Sequence, residues 1–462
     1  MTHLYGILNV AKGALHTQQK AIDVTAHNIA NVNTPGYSRQ KVNMVTSHPL
    51  SSEPGQLGTG VQAAAIQRMY DSFLGIQINT ESQSLGKWEA QKDSLQKVEM
   101  ILDESSGYGL NGALSEFWNA WHDLVNEPSS QTERAVLLAK SESLANIFNR
   151  ISADLKQIQR DLDTRISGTV QEINRIADRI AGLNEQIAQV EASGRNANDL
   201  RDGRDLLLTE LSSMIDINTS EGPDGKMTVL LSGGRPLVQN GTSWDVSIET
   251  NASGLQDILW LDGSGGSVNI TETISGGALK GWLQVRDGSV PSYLSRLDDM
   301  AAGIIQAVNN LHSSGFGLDG STGNDFFVGT TASDIGIHPN VLGDPRLIAA
   351  AGTASGVPGD NSIAIAIAGL QDDLTMDGNT ATFGAYYNSI IADLGGAVQE
   401  AAANYDHQSA MVEQLTGVRE SVSGVSLEEE MVNLIRFQHA YEAAAKLVST
   451  TDELLETVIA MV

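Results

Sequence analysis

Between Leu144 and Val190 the chain repeats an apolar residue (once a threonine) every three or four positions. Phe148, Ile151, Leu155, Ile158, Leu162, Ile166, Thr169, Ile173, Ile176, Ile180, Leu183 and Ile187 lie between. The steps alternate four and three except at 158–162–166, where two fours adjoin. Such alternation is the seam of a coiled helix, and an extra four is a stutter that locally unwinds it. The pattern predicts one helix from about 132 to 193, which at 1.5 Å per residue approaches ~90 Å. A rod of that length suits an elongated protein better than a globule, so the fold class follows: mainly α, rod-like and multidomain, with a smaller β region.

That β region is read at 215–285. MTVLL, WDVSI and ILWLD look like strands, with the turn Gly222-Pro223-Asp224-Gly225 and Gly/Ser clusters between them. Helical patterns also cover 68–104, 111–126 (stopped by Pro128), 291–312 with Pro291 suited to a first turn, and 383–417. Residues 38–66, with Pro49, Pro54, Gly55, Gly58 and Gly60, read as an extended, hairpin-like connector. Residues 315–382 are rich in Gly, Asp and Thr, with short helical patches near 344–350 and 361–370.

Both ends carry narrow stripes. Leu4, Leu8, Ala11, Leu15, Gln18, Ile22, Thr25, Ile29 and Val32 step by four and three, as do Leu427, Met431, Leu434, Gln438, Tyr441, Ala445, Val448, Asp452, Leu455, Ile459 and Val462. Two surface helices on a common core would give this pattern; so would helices that pair with each other and with neighbours. The first stripe ends near Asn33. Thr34 precedes a proline, which biases it away from the helical region, and Pro35-Gly36 fits the centre of a type II turn. The phrase at 26–40, AHNIANVNTPGYSRQ, is thus a helix stop with a built-in corner.

Charge excludes several classes. The formal net charge is −28, a surface that repels phosphate backbones and anionic lipid. No nucleic-acid partner is expected. Nor is membrane insertion, since the longest apolar run, IAIAIA at 363–368, is too short to span a bilayer. Lys12, Lys20, Arg39 and Lys41 outnumber acids in residues 1–60, whereas acids dominate 418–462, so the ends are mildly complementary. The chain holds no cysteine, which removes disulfides and thiolate chemistry together. Residues 1–20 lack the basic start and apolar block of a cleaved signal, so an exported chain of this kind needs another route.

Local chemistry is absent. The nine histidines are scattered, and HExxH, Walker A and GxSxG motifs do not occur. Asp319-Gly320-Ser321-Thr322-Gly323-Asn324-Asp325 resembles the start of a calcium loop, but position twelve is Thr330, not the bidentate glutamate. Glu428-Glu429-Glu430 follows Ser426 in the first turn of a helix, where acids favour the dipole. No enzyme, no cofactor and no metal is therefore expected.

With these residues in view, NIANVNTPGY resembles the shared signature of flagellar rod, hook and hook-associated proteins. The continuation SRQ at 38–40 is similar to the first hook-associated (FlgK) family within it, and SGVSLEEEMVNLIRFQHAYEAAAKLVSTTDELLETVI at 423–459 resembles that family's closing motif. LRDGRDLLLTELSSMIDI (200–217), GGALKGWLQVRD (276–287) and FGLDGSTGNDFF (316–327) stand in the family's order. Longer relatives insert an outer domain after the segment matching Asp325-Phe326-Phe327, and this chain runs straight on.

The resemblance implies a structural subunit of the bacterial flagellum at the hook–filament junction, exported by the type III apparatus. Its terminal helices would be mobile in the monomer and order on assembly. The implied domains are 1–62 with 418–462 as an inner coiled coil, 63–214 with 286–417 as an elongated helical unit, and 215–285 as the β region. Implied partners are further copies in a ring or helical array, hook protein, the next junction protein toward the filament, and an export chaperone at the C-terminal segment. The candidate assembly residues are Leu4, Leu8, Leu15, Ile22 and Ile29; Asn31, Asn33, Thr34, Pro35, Gly36 and Tyr37; and Leu427, Met431, Leu434, Phe437, Tyr441, Val448, Leu455 and Ile459. The alternative is another axial subunit, a hook or distal-rod protein.

Overall fold

The computed structural model describes residues 2–52, 55–103 and 109–461. Pro54, Glu104 and Val462, which the sequence patterns include, lie outside them. Helix α1 (Thr2–Ala30) leads through the corner into a ribbon, β1 (Gln40–Thr46) paired antiparallel with β4 (Val61–Arg68), and the short β2 (Leu50–Ser52) and β3 (Gly55–Leu57) pair beyond it. Helix α1 lies on the ribbon. A Cβ on Gly13 would sit 3.2 Å from the Val61 carbonyl oxygen, so the missing side chain permits the close approach.

Four helices follow: α2 (Ser72–Leu102), α3 (Leu110–Asn126), α4 (Gln131–Glu191) and α5 (Asn198–Met214). Helix α4 has 61 residues, and the Ser130 hydroxyl caps it by accepting from the Glu133 N–H at 3.2 Å. Its ends fall within two residues of the sequence pattern. Helix α5 was not signalled by periodicity, because Asn198, Asp202 and Arg204 stand on its buried side.

The β region has two antiparallel sheets. β5 (Ile217–Glu221), β6 (Met227–Leu231), β7 (Pro236–Gln239) and β8 (Thr242–Ser243) form a four-stranded meander; β9 (Val246–Thr250), β10 (Gln256–Leu261) and β11 (Ser267–Asn269) form the second sheet. The region ends sooner than the strand pattern suggested. Residues 277–284 are helix α6 (Gly277–Gln284), which continues through a π turn at Val285–Ser289 into α7 (Val290–His312). Gly277 has φ +73°, and a Cβ there would lie 2.5 Å from the Met214 carbonyl oxygen, so glycine lets α6 start against the end of α5. The short β12 (Phe327–Val328) and β13 (Gly336–Ile337), α8 (Pro339–Gly343) and α9 (Ser362–Gly369) precede two long helices, α10 (Phe383–Ser423) and α11 (Leu427–Ala460).

Two large apolar cores share α4. One gathers Leu114, Phe117, Trp121, Phe148, Leu162, Met300 and Phe383; the other gathers Ile166, Ile173, Leu208, Val229, Val238 and Ile258. The handover falls between Leu162 and Ile166, at the stutter. Leu144, Leu162 and Ile180 are spaced by 18 residues, or five full turns, so with the added step the buried stripe stays on one face of α4 along both cores. The buried Arg286, on the π turn, seals the boundary: its guanidinium donates to Asp163 Oδ1 and the Gln256 carbonyl, both at 2.7 Å. Helix α2 packs along α10, with Leu74 and Ile78 against Leu415, so the outgoing and returning arms are joined side by side.

His312, at the end of α7, is buried in the first core. Its Nδ1 donates to the Asn324 carbonyl at 2.7 Å and its Nε2 accepts from the Ala349 N–H at 2.9 Å. Burial pushes its pKa down to about 4. The unfolded chain therefore takes up a proton near pH 6.5 that the folded chain refuses until about pH 4. Stability from this group is complete above the unfolded value and is lost as pH falls through that window, on the order of 3 kcal/mol. Urea midpoints across pH 4–7 should show this loss, and H312Q should flatten the slope; an unchanged slope in H312Q would assign the loss to other groups.

Candidate assembly interface

The corner after α1 is built locally. The Thr34 N–H donates to the Asn31 carbonyl at 2.9 Å, and the Tyr37 N–H to the Thr34 carbonyl at 3.2 Å. The Thr34 hydroxyl donates to Asn31 Oδ1 at 3.0 Å, and the Asn31 amide to the His27 carbonyl at 3.0 Å. Gly36 takes φ +78°, the sign a type II turn requires at its third position. Leu206 of α5 packs onto this glycine, and an added Cβ would lie 3.3 Å from its Cβ. Asn33, Thr34 and Pro35 are exposed, while Asn31, Gly36 and Tyr37 are half-buried.

The corner is held from three sides by its own chain. From α1, the buried Asn28 closes it: Asn28 Oδ1 accepts from the Tyr37 hydroxyl at 2.7 Å and from the Gln40 N–H at 2.9 Å, and Nδ2 donates to the Gln40 carbonyl at 2.9 Å. Burial, then Asp199, Asp202 and Glu430, push the Tyr37 phenol up, which keeps it protonated as a donor. From α5, Asp202 accepts from the Ser38 N–H at 2.9 Å and from Arg68 at 2.7 Å, and Asp205 accepts from Arg68 at 2.7 Å. Burial alone would lower the Arg68 guanidinium, but the two carboxylates raise it above its ordinary value. From α11, Glu429 pairs with Arg39 at 2.7 Å, and Glu430 with Arg39 at 2.8 Å and with Asn28 Nδ2 at 3.0 Å.

The glutamate cluster therefore differs from a uniformly solvated first turn. Ser426 caps α11 and Glu428 faces solvent, but Glu430 is only 2 % exposed. Asn28, Gln40, Arg68, Asp199, Asp202, Asp205 and Glu430 carry the corner, and none was singled out as a site residue from sequence. For Asp202 and Asp205 the signal lay in LRDGRD (200–205), a charged helix start without an apolar stripe.

Beyond the corner α1 and α11 run antiparallel and in contact. Leu4, Leu8, Leu15, Ile22 and Ile29 are half-buried along this pairing, with Ala11 and Thr25 buried among them. On α11 the buried residues are Glu430, Ala444 and Thr451, with Leu434, Phe437, Val448 and Leu455 half-buried. Phe437 packs against Ala21, Val24 and Val42. The paired face is thus rotated from the sequence stripe, which it meets at Leu434, Val448 and Leu455. Leu427, Met431, Tyr441 and Ile459 of that stripe are exposed, Ile459 to 72 %. Val432, Ile435, Leu447, Leu454 and Val458 of α11 are exposed as well. Among the described residues no group of three or more metal-ligating side chains is found, and no helix is long and apolar enough to cross a membrane.

Known proteins share these features. Two terminal segments match descriptions common to flagellar axial proteins: residues 8–37 match "Flagella basal body rod protein" and 419–461 match "Flagellar basal body rod FlgEFG protein C-terminal". The paired ends thus define an axial protein of the flagellum. Residues 95–327 match "Flagellar hook-associated protein FlgK helical domain". Flagellar hook-associated protein 1 of Bacillus subtilis (strain 168) is 32% identical over 99% of this chain and 98% of its own. The protein of the same name from Escherichia coli K12 is 24% identical over 98% and 99%, and that of Salmonella typhimurium 25% over 98% and 99%. The chain belongs to the FlgK family of flagellar hook-associated proteins. Its fold is also that of the flagellar hook junction protein FlgK from Burkholderia pseudomallei, with TM-score 0.68 and 15% identity over 75% of this chain and 100% of that one.

The corner yields a direct test. Alanine at Gly36 forces a Cβ into the left-handed region and against Leu206, at a cost of about 1–2 kcal/mol. Hydrogen exchange should show faster opening of residues 34–40 in G36A with the α4 cores unchanged. Equal protection in both chains would mean the turn tolerates a side chain.

Proposed function

We propose that this chain is a structural subunit of the hook–filament junction and that it joins its neighbours through the outer face of α11. One observation carries the assembly reading. Helix α11 spans 34 residues, and the side turned away from α1 keeps Val432, Ile435, Leu447 and Leu454 in solvent. Large apolar side chains left exposed along a helix mark a candidate interaction surface. Copies stacked head to tail without closing would cover it and give a ring or helical layer.

The terminal pair, 1–62 with 418–462, forms the inner unit in this reading. Residues 63–214 with 286–417 form the elongated unit, and 215–285 the β region. Hook protein meets one side of the layer and the next junction protein the other. During export the same C-terminal face is held by a chaperone, and the chain leaves through the type III apparatus. We read it as non-enzymatic, in keeping with a family of flagellar structural proteins. The alternative, a hook or distal-rod subunit, is supported only by the two terminal matches, whereas the 95–327 match belongs to the hook-associated family.

Deletion of the gene separates these readings. Cells should carry hooks without filaments and shed filament protein into the medium. Missing hooks would move the subunit down the axis, and normal filaments would contradict the junction role.

A further inference from the structure

Apolar pattern alone does not decide which face of α11 meets α1. Two seams share the row Leu434, Tyr441, Val448 and Leu455. One completes it with Met431, Gln438, Ala445 and Asp452, the other with Glu430, Phe437, Ala444 and Thr451. Each completing set holds one large apolar residue, one alanine and two polar residues. The faces differ by a rotation of about 50° at 3.6 residues per turn. The structure takes the second, although it buries a carboxylate and leaves Met431 53 % exposed.

The apolar side of the pairing is permissive over most of its length. Phe437, packed on Ala21, Val24 and Val42, anchors it near the corner; elsewhere the seam rows of α1 and α11 are dominated by small and medium side chains, so a slip of one heptad would bring similar residues together. One polar point is not repeated. Glu430 accepts from Asn28 Nδ2 at 3.0 Å and pairs with Arg39 at 2.8 Å. Asn28 is itself fixed by the Tyr37 hydroxyl and by both backbone groups of Gln40. In any other rotation or register Glu430 would lose these donors, and where it stayed buried it would be an unpaired charge. A buried polar group that finds partners in only one alignment is the best-attested device for fixing helix register.

We propose that Glu430, seated on Asn28 and Arg39, sets the rotation and register of α11 on α1, and so selects which apolar face is presented to neighbouring copies. Glu430 is a positioning residue: it sits beneath the presented face, not on it. The proposal rests on the assembly reading only for that last consequence. It is tested on a distance within the incorporated subunit, whereas the assembly reading is tested by the phenotype of the deletion, so either can fail alone.

The absence of cysteine makes the test clean. Spin labels on K20C and H439C, both exposed positions, report the distance between α1 and α11 by pulsed electron paramagnetic resonance in flagella carrying a few labelled copies among unlabelled ones. With Glu430 intact one narrow distance is expected. E430Q still accepts from Asn28 and should keep it. E430L cannot, and should show a second population, displaced by up to about 10 Å for a one-heptad slip. The same narrow distance in E430L would overturn the proposal, as would a broad distribution with Glu430 intact. Failure of E430L to incorporate, with E430Q incorporating, would assign Glu430 to ordering instead of register and overturn it too.

Discussion

Asn28 and Glu430 stand 402 positions apart, yet their side chains meet at 3.0 Å beneath the surface. Everything near the chain ends depends on that contact. The Asn28 carboxamide uses both its atoms: the oxygen gathers the Tyr37 hydroxyl and the Gln40 N–H, and the nitrogen reaches the Gln40 carbonyl and Glu430. It converts a helix stop into a fixed corner, and the corner into a seat for the start of α11. Buried polar groups are costly unless fully partnered, and here the partners come from α1, β1 and α11 together. No one of the three can leave without stranding the others.

The elongated body obeys a different constraint. Helix α4 serves two cores in succession along its length. A strict heptad would drift about 20° per heptad around a straight helix, and the extra step at 158–162–166 offsets that drift, so a single continuous helix can line both. Arg286 and Asp163 occupy the seam between the cores, where apolar packing is interrupted. The result joins an α-helical half and an α/β half without a flexible linker.

Much of this was legible from residues and some was not. The α4 rod, its stutter and the Pro35-Gly36 corner were legible because they follow from local rules: periodicity, the restriction before proline, and glycine at positive φ. Helix α5 was not, because its buried side carries Asp202 and Arg204 and so lacks an apolar period. The start of α6 at Gly277 was hidden because a tertiary approach to Met214, not a local turn signal, sets it. The stripe read on α11 and the face it turns to α1 differ by a rotation, because Met431 continues the apolar step and Glu430 does not. Only the position of Asn28, four hundred residues away, reverses that order.

The central claim is that the ends of this chain form one fixed pair which presents the outer face of α11 within a flagellar junction. Cryo-electron microscopy of hook–filament junctions from intact flagella tests it most directly. The account predicts α1 and α11 of each subunit antiparallel in the wall, with Glu430 turned onto Asn28 and the Val432–Leu447–Leu454 face against a neighbouring copy. Terminal helices separated from each other, or that face left in solvent, would contradict it.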